Sequence, residues 1–392
     1  MTRSGAQTPF VAIACGGTGG HLFPGLAVAG QLTQRGCAVM LLVSPKEVDQ
    51  QAVKSAGDLA VVTLPAVGLQ NRNYFSFARS FVKSLFAARK TFCRRKPDAV
   101  LTMGGFTGAP PVWVGKDFGA KTFLHESNTI PGRANRLLAR WVDEAFVGFP
   151  ETASRLRVRK VTHTGTPVRP QFQRRDAATC RTALGLDPQR PVILVMGGSQ
   201  GASGINEIIL AALPLLAGRA GTWQWLHLTG AGHCEKVGET YARLGLKAVV
   251  RPFLAEMDLA LGAAAVAVSR AGASSLAEIA AMRLPSLLVP FPAAADNHQF
   301  HNARAFETTG AARLVEQKNA TPAGVVAMLD ELVENETTRA AMQTALAQWH
   351  APQAAEQIAS TILKAIGEPF GLARRNGDKT GRPGEMNLKV VA

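Results

Sequence analysis

Residues 10–21 read Phe-Val-Ala-Ile-Ala-Cys-Gly-Gly-Thr-Gly-Gly-His, a short apolar run followed by a glycine-rich turn. An apolar-periodic stretch then runs from Leu26 to Leu32. A strand that is apolar throughout and leads through glycines into a helix is the unit of a parallel sheet covered on both faces. The same order recurs at residues 192–216, where Val-Ile-Leu-Val-Met precedes Gly-Gly-Ser-Gln-Gly and a helical stretch. Each half of the chain is therefore predicted to form its own doubly wound, Rossmann-like α/β domain.

Length and composition agree with two domains. The chain has 392 residues, more than the roughly 250 to 300 at which a single core stops growing. Hydrophobic residues make up 47% and charged residues 18%, which excludes a mostly disordered chain. Two prolines at 167 and 170 interrupt any regular element, so the domains are predicted at 1–168 and 169–351. Residues 367–392 are basic, polar and rich in glycine and proline, and are predicted to be a disordered tail.

Candidate strands are distributed through both halves, between helical segments. They are Val39 to Val43, Val61 to Leu64, Ala99 to Thr102, Thr122 to Leu124, Glu144 to Val147, Thr222 to Leu228, Ala248 to Val250, Val266 to Ser269 and Ser286 to Val289.

Apolar runs, cysteines and net charge indicate where the protein is located and what kind of partner it binds. No apolar run approaches the roughly 18 residues of a membrane span, and the N-terminal apolar run is too short for a signal peptide. The five cysteines are scattered without a C-x-x-C pair, so neither a disulfide framework nor a zinc site is indicated. A cytoplasmic protein is expected. The net charge of +15 predicts an anionic partner: nucleic acid, a phosphorylated small molecule or a membrane surface.

The two glycine turns are typical of sites for a phosphate or diphosphate. Glycines let the backbone approach a ligand closely, and the helix that follows aims free N–H groups and its dipole at an anion. Neither turn has the lysine and hydroxyl of a P-loop, and Gly16 to Leu22 does not fit G-x-G-x-x-G. ATP hydrolysis and ordinary NAD binding therefore lose support. The alternative is that the glycines serve only the packing of helix on strand.

A serine hydrolase is a competing reading of the second turn. Gly197-Gly-Ser-Gln-Gly201 also matches the nucleophile elbow G-x-S-x-G, with a strand before it and a helix after it. Asp258 or Asp296, with His298 or His301, could complete a triad. A hydrolase, however, has no use for the similar turn at Gly16.

The densest polar stretch lies between Ser269 and Asn302. Ser269-Arg-Ala-Gly-Ala-Ser-Ser-Leu-Ala-Glu278 follows a predicted strand and is expected to open a helix at Ser274 or Ser275. Glu278 either completes a capping box with Ser275 or accepts hydrogen bonds from ribose hydroxyls at a nucleotide site. The polar loop 292–299 follows the next strand, at the edge of the sheet where ligands bind.

An amphipathic basic helix is predicted between Arg72 and Lys96, where eight Lys or Arg occur without one acid. At about 100° per residue the helix has an apolar face and an opposite basic face. Its aromatic and basic residues together suit an anionic bilayer surface, whereas a nucleic-acid reader needs a recognisable module that is missing. The apolar face comprises Phe77, Phe81, Leu85, Ala88 and Phe92; the predicted membrane-facing residues are Phe75, Arg79, Val82, Lys83, Phe86, Lys90 and Arg94.

Six motifs together resemble the MurG family of peptidoglycan glycosyltransferases over residues 9–366. They are Gly16-Gly-Thr-Gly-Gly-His21-Leu-Phe-Pro-Gly25, Met103-Gly-Gly-Phe106, His125-Glu-Ser-Asn128, Thr166-Pro-Val-Arg169, Gly197-Gly-Ser-Gln-Gly201, and Ser269 to Glu278 with Asp296-Asn-His-Gln299. The resemblance implies the GT-B fold, with two Rossmann-like domains facing across a cleft and a final helix at 352–366 returning to the first. It implies inverting transfer of N-acetylglucosamine from UDP-GlcNAc to the 4-hydroxyl of lipid I, which forms lipid II. A UDP-GlcNAc 2-epimerase shares this fold and sugar donor and is the alternative.

The resemblance also implies roles for individual residues. His21 is the candidate general base and Glu126 the fallback, with His125 structural; the reaction needs no metal, and a divalent cation is an optional activator. Asp296, His298 and His301 could be read as metal ligands, but hydrogen bonding is the favoured use of this loop. The implied substrate-binding residues are Thr18, Gly19, Gly20 and Asn128 in the first domain, and Arg169, Ser199, Leu254, Ala273, Ser274, Ser275, Leu276, Ala277, Glu278 and Gln299 in the second.

A lipid-linked acceptor implies a place for the enzyme as well. The expected location is the cytoplasmic face of the inner membrane, where the protein binds peripherally to the anionic surface. Other proteins of cell-wall synthesis are potential partners, and no nucleic acid is expected.

Overall fold

A computed structural model describes residues 8–17, 19–46, 49–50, 57–66, 74–198 and 202–367. Thirteen strands in these ranges form two sheets, one in each half of the chain. In the first half the strands are β1 (Phe10–Ala14), β2 (Ala38–Val43), β3 (Ala60–Thr63), β4 (Ala99–Thr102), β5 (Lys121–Glu126), β6 (Glu144–Val147) and β7 (Val161–His163). In the second half they are β8 (Val192–Met196), β9 (Gln224–Leu228), β10 (Ala248–Arg251), β11 (Val266–Ser269), β12 (Ser286–Leu288) and β13 (Arg313–Leu314).

Helices alternate with these strands. In the first half they are α1 (Gly19–Gln34), α2 (Tyr74–Arg94), α3 (Ala109–Asp117) and α4 (Arg133–Leu138). In the second half they are α5 (Ala177–Ala183), α6 (Ser203–Ala212), α7 (Cys234–Arg243), α8 (Met257–Ala263), α9 (Ala273–Met282), α10 (His298–Thr308), α11 (Pro322–Glu334), α12 (Glu336–Trp349) and α13 (Ala354–Ala365). Short 3₁₀ turns cover Pro150–Arg155, Leu213–Arg219, Ala295–Asn297 and Gln317–Asn319.

Both sheets are parallel and doubly wound. Their strand orders are β3-β2-β1-β4-β5-β6-β7 and β10-β9-β8-β11-β12-β13. The order reverses between β1 and β4 in the first sheet and between β8 and β11 in the second, and ligands bind in such sheets at the carboxyl ends of those strands. The predicted α/β class with two Rossmann-like domains is confirmed, although the short outer strands β7 and β13 were not foreseen.

The first sheet is buried on both faces, as its continuous apolar strands predict. Successive residues of β1 point into different cores: Val11 and Ile13 pack with α1 and α13, whereas Ala12 and Ala14 pack with α2 and α3. Helix α13 contributes Ile358 to the first of these cores, although it follows the whole second domain in sequence. The predicted final helix thus returns to the first sheet.

A cluster of three aromatic side chains joins the two halves of the chain. Phe149 of the first half packs 6.2 Å from Phe306 and 5.3 Å from Trp349, measured between ring centroids. Phe306 and Trp349 stack at 4.4 Å. These apolar contacts hold the second domain beside the first.

Helix α2 has the predicted two faces. Ala88 and Phe92 are fully buried, and the ring of Phe81 lies edge-on to Trp113 at 5.4 Å. On the other side Phe75 is 81% exposed, Phe86 70% and Val82 47%. Of the helices in the described part of the chain, none combines the length and apolarity needed to cross a bilayer.

Several boundaries differ from the sequence prediction. Helix α1 begins at Gly19, directly after the turn, and so extends well before the apolar-periodic stretch that starts at Leu26. Helix α9 begins at Ala273, one residue before Ser274, and α6 ends at Ala212, where a 3₁₀ turn takes over. Periodicity marks only the residues that pack against a sheet, so helix ends that contain glycine or proline are missed. The predicted disordered tail lies outside the described residues beyond Gly367.

Candidate active site

The two switch points face each other across a narrow cleft. Helix α1, which starts at the first glycine turn, packs against α9, which starts after β11. The Ser274 hydroxyl donates a hydrogen bond of 2.9 Å to the carbonyl of Gly20. The amino end of each helix therefore lies where a ligand bound to the other can reach it.

A buried carboxylate holds the first glycine turn in shape. Asp49 accepts from the backbone N–H of Gly17 at 2.6 Å and from that of Ser44 at 3.1 Å. The Lys46 ammonium donates to the Gly17 carbonyl at 3.1 Å and lies 5.3 Å from the ring centroid of Phe106. The turn thus carries one half-buried cation at the cleft, which suits an anionic ligand.

His21 lies in the first turn of α1, against the backbone that follows β4. An ideal Cβ placed on Gly105 would lie only 3.0 Å from Cε1 of His21. Gly105 also has φ +78°, a conformation that favours glycine. Burial lowers the pKa of His21 below its ordinary value, although nearby Glu126 acts in the opposite direction. The imidazole is therefore neutral near pH 7 and able to take a proton.

Glu126, at the end of β5, uses both carboxylate oxygens for hydrogen bonds within the loop that follows it. One carboxylate oxygen accepts from the backbone and the side-chain amide of Asn128, at 2.9 and 3.1 Å. The other accepts from the Gly132 N–H at 2.9 Å and from the Asn135 amide at 2.7 Å. Both oxygens of Glu126 are therefore occupied by donors of its own loop, which indicates that this carboxylate positions Asn128 and Asn135.

His125 is held by two neighbours in the core. Its ring nitrogens lie 3.1 Å from the Gly165 carbonyl and 3.2 Å from the Ser127 hydroxyl. Burial lowers the pKa of His125 to about 4. The ring is neutral and is not directed at the cleft, which agrees with a structural role.

In the second domain, α9 presents backbone amides to the cleft. Its first residue is Ala273, and Gly272 supplies no side-chain cap. The Leu276 N–H already donates to the Gly272 carbonyl at 3.0 Å, as an amide inside the helix does. The amides left for a phosphate are therefore those of Ala273, Ser274 and Ser275. Leu276 and Ala277, also predicted to contact phosphate, lie within the helix.

Glu278 faces Arg169 and does not complete a capping box with Ser275. One of its oxygens lies 3.5 Å from an Arg169 guanidinium nitrogen. Burial raises the pKa of Glu278 to about 7 and outweighs the opposing effect of Arg169. Arg169 itself lies over the rings of Phe23 at 4.0 Å and Phe172 at 4.9 Å. Because Phe23 belongs to α1, both domains fix this pair.

Gln299 and Asn302 anchor the start of α10 to the cleft. The Gln299 carbonyl oxygen accepts from the backbone N–H groups of Ala271 at 3.2 Å and Phe291 at 3.0 Å. Asn302 is fully buried and accepts from the backbone and the hydroxyl of Thr129, both at 2.9 Å. Its amide donates to the Asn128 side chain at 3.0 Å and to the Ala271 carbonyl at 3.1 Å. One asparagine of the second domain thus positions Asn128 of the first.

The other sequence predictions for the site have mixed outcomes. Thr18 and Ser199 lie outside the described residues. The Leu254 side chain is buried, so only its backbone is available to contact the uracil of a bound nucleotide. Gly19 and Gly20 are the first residues of α1 and border the cleft.

The two acids considered for a hydrolase triad both have arginine partners. In the parts of the chain that are described, no group of three or more His, Cys, Asp or Glu could hold a metal ion. Asp258 pairs with Arg175 at 3.1 Å, and Asp296 pairs with Arg136 at 2.6 Å. Both candidate triad acids are therefore occupied by arginine.

Comparison with known proteins decides the family. Residues 11–147 match the glycosyltransferase family 28 N-terminal domain, and residues 192–358 match its C-terminal domain. A protein of Anaeromyxobacter sp. (strain K), called UDP-N-acetylglucosamine--N-acetylmuramyl-(pentapeptide) pyrophosphoryl-undecaprenol N-acetylglucosamine transferase, is 35% identical over 387 residues. The match spans 95% of this chain and 98% of the relative. The chain belongs to glycosyltransferase family 28.

Other matches agree with this family 28 assignment. A Moorella thermoacetica protein of the same name is 35% identical, with 91% of this chain and 99% of the relative covered. The crystal structure of Acinetobacter baumannii MurG superposes with a TM-score of 0.71 at 27% identity, covering 91% of this chain and 100% of that one. A putative UDP-N-acetylglucosamine 2-epimerase of Listeria monocytogenes has a TM-score of 0.69 at 13% identity, covering 93% and 100%, and shows the common fold alone.

Three residues at the site of this family 28 member were not predicted from the sequence to have a role there. Lys46 and Asp49 follow β2 and come to the first glycine turn only because β2 pairs with β1. Their position after a strand could have suggested them. Asn302 closes the polar stretch that begins at Ser269, but its role was not predictable because its partners Asn128 and Thr129 are more than 170 positions away.

Proposed function

We propose that this glycosyltransferase moves N-acetylglucosamine from UDP-GlcNAc to the 4-hydroxyl of the N-acetylmuramoyl group of lipid I, producing lipid II. The support is the full-length similarity to transferases of that name, together with a cleft that sets His21 opposite the amino end of α9. A base in one domain and an anion-binding helix end in the other are what a single displacement between two substrates requires.

The reaction follows from this arrangement. The acceptor hydroxyl gives its proton to His21 while its oxygen attacks the anomeric carbon of the sugar. The bond between that carbon and the diphosphate oxygen breaks on the opposite face, so the configuration inverts. The leaving UDP carries the negative charge away, and the free amides of Ala273, Ser274 and Ser275 stabilise it through hydrogen bonds and the helix dipole.

The second domain holds the sugar donor in this proposal. Glu278, as a carboxylate, accepts hydrogen bonds from the ribose hydroxyls, and Arg169 keeps its side chain aligned. Gln299 uses its oxygen for the backbone of Ala271 and Phe291, which turns its amide group towards the sugar. Ser199, which lies outside the described residues, is expected to contact the diphosphate.

The first domain receives the acceptor. The glycine turn at Gly16–Gly20 and the Lys46 ammonium beside it bind the diphosphate of the lipid. Asn128, fixed by Glu126 and Asn302, borders the transferred sugar. We expect no cofactor to be required, because hydrogen bonds from the α9 amides and the positive charge of Lys46 can stabilise the diphosphates. We expect a divalent cation to stimulate transfer at most, so a chelator should leave most of the activity.

The exposed basic face of α2 docks the enzyme on the membrane. Phe75 and Phe86 project beside Lys83 and Lys90, a combination that binds an anionic interface. Because the acceptor is anchored in the lipid, we place the enzyme peripherally on the cytoplasmic face of the inner membrane. There it can also contact other proteins of cell-wall synthesis.

Transfer of labelled N-acetylglucosamine to a lipid I analogue tests the proposal. We expect His21→Ala to lower kcat by about 10²- to 10⁴-fold with little change in the KM for UDP-GlcNAc. Glu278→Ala should chiefly raise that KM. UDP release that does not depend on lipid I, or epimerised product, would support the epimerase alternative and overturn the proposal.

A further inference from the structure

The loop 292–297, between β12 and α10, has an unusual backbone for its sequence. Asp296 and Asn297 are consecutive and both left-handed, with φ of +50° and +52°. This region is unfavourable for residues other than glycine, and aspartate and asparagine tolerate it best. Two such residues in a row persist when surrounding contacts hold them. Within the loop, the Asn297 N–H donates to the Ala294 carbonyl at 2.9 Å, and further contacts come from the other domain.

The Asp296 carboxylate reaches across the cleft with both oxygens. One accepts from Arg136 at 2.6 Å, and the other lies 3.5 Å from Arg133. Both arginines belong to α4 of the first domain. The Asp296 and Arg136 side chains are 30% and 44% exposed, so the pair lies at the rim of the cleft, in contact with water.

The loop leads directly into the residues that face the reaction centre. His298 and Gln299 form the first turn of α10, and Gln299 ties both Phe291 and Ala271 to that turn. His298 lies close enough to His21 for the two rings to interact electrostatically. Asp296 therefore ties the residues just before the first turn of α10 to the first domain.

We propose that Asp296 and its partners Arg136 and Arg133 form a latch that holds the cleft closed during transfer. They act as positioning residues, because they keep His298 and Gln299 opposite His21 without touching the reacting atoms. A solvent-exposed ion pair is weak, which suits a contact that must open in every cycle to admit UDP-GlcNAc and release UDP. The role in transfer rests on the proposed function; the closure itself does not.

Kinetics test the role in transfer. Asp296→Asn keeps a side chain that tolerates the left-handed backbone but removes the charge, and Arg136→Gln removes the partner. Each should lower kcat about threefold with the KM for UDP-GlcNAc within about twofold, since an exposed pair supports changes of this size. The double variant should be little worse than either single one, because all three break the same contact.

A matched control is available on the same helix. Arg304 and Glu307 of α10 form an ion pair of the same length, 2.6 Å, with 59% and 30% exposure. This pair lies within one domain, so Glu307→Gln should leave kcat unchanged. An equal loss of kcat in Glu307→Gln and Asp296→Asn would overturn the latch, as would additive losses in the double variant.

Spin-label distances test closure without using activity. Cys93 is exposed in the first domain, and a second label can be placed on the second domain by Glu239→Cys in a Cys234→Ser background. With UDP bound, the latched protein should show one short distance, and Asp296→Asn should add a longer population. Identical distributions in the two proteins would refute the latch even if lipid II is formed. A longer population would support it even if no transfer is found.

Discussion

Glu278 shows how burial tunes a single site residue. Its carboxyl is largely shielded from water, and Arg169 at 3.5 Å does not fully compensate for the lost hydration. The pKa is raised to about 7, so the group is half protonated near neutral pH. A neutral carboxylic acid is a weaker acceptor for ribose hydroxyls than a carboxylate.

We therefore predict that UDP-GlcNAc binds the enzyme more tightly as the pH rises through about 7. The proton must leave Glu278 before the carboxylate can accept two hydroxyls, so affinity should fall several-fold on the acid side. Equilibrium titration of UDP-GlcNAc across this pH range measures the effect. Glu278→Gln should bind weakly at every pH, and a pH dependence that survives this change would assign it to another group.

At the scale of one element, helix α2 uses one face for packing against the core and leaves the other face free to bind a surface. Ala88 and Phe92 are buried against the first sheet, and Phe81 packs against Trp113. Phe75 and Phe86 remain exposed beside the basic side chains. Changes on the exposed face should therefore leave the fold intact while they alter what the helix binds.

Charge reversal of Lys83, Lys90 and Arg94 to glutamate should weaken binding to anionic vesicles by at least about a hundredfold. The reason is that each basic residue near such a surface contributes about 1 kcal/mol. Co-sedimentation with vesicles containing anionic lipid is the measurement, with UDP-GlcNAc affinity expected to stay unchanged.

The matched control reverses three exposed arginines elsewhere in the same domain, Arg155, Arg157 and Arg159. The change in net charge is identical, so a general electrostatic effect would weaken both triple variants equally. Equal losses would therefore remove α2 as the docking surface.

At the scale of the whole molecule, each domain has a buried neutral histidine. His125 contacts the Gly165 carbonyl, and His227 lies between Tyr241 at 3.1 Å and Asn206 at 3.0 Å. Burial lowers the pKa of His125 to about 4 and that of His227 to about 3, from 6.5 in an unfolded chain. Between those values each of these two histidines binds more protons in the unfolded chain than in the folded one, whereas Glu278, with its raised pKa, contributes in the opposite direction between about 4.5 and about 7. The stability that the two histidines contribute is therefore fully present above pH 6.5 and is lost as the pH falls.

We predict that the free energy of unfolding falls with acidification below about pH 6.5, with each histidine adding a slope of about 1.4 kcal/mol per pH unit. Urea unfolding at a series of pH values measures this slope. His227→Gln should be destabilised at neutral pH but should lose one histidine's share of the slope. If that variant keeps the full slope, His227 is not the titrating group.

Much of the fold was predictable because its signals are local. Val192 to Met196 is apolar at every position, and all five residues are buried in β8. The glycine turns were recognisable for the same reason, since a strand, glycines and a helix follow one another along the chain. Helix ends were less predictable: Gly19 starts α1, and glycine carries no hydrophobic signal.

The candidate site was only partly predictable. His21, Glu278 and Gln299 were named from motifs, and the structure places them around one cleft. The motifs could not show that the Glu126 and Glu278 carboxylates have different surroundings and therefore different roles. Glu126 is saturated by four hydrogen bonds, whereas Glu278 faces a single arginine, and these surroundings depend on loops folded around each group.

By itself the sequence determined two parallel α/β domains, their glycine turns and a basic amphipathic helix, because side-chain periodicity and backbone preference act over a few residues. Only the tertiary structure decided what meets across the cleft. Asn302 reaches Asn128, Ser274 reaches Gly20, and Arg136 reaches Asp296, over separations of 160 to 254 positions. Such pairs form because two separately folded sheets pack together, and no pattern within either half of the chain encodes which of their surface groups will be neighbours.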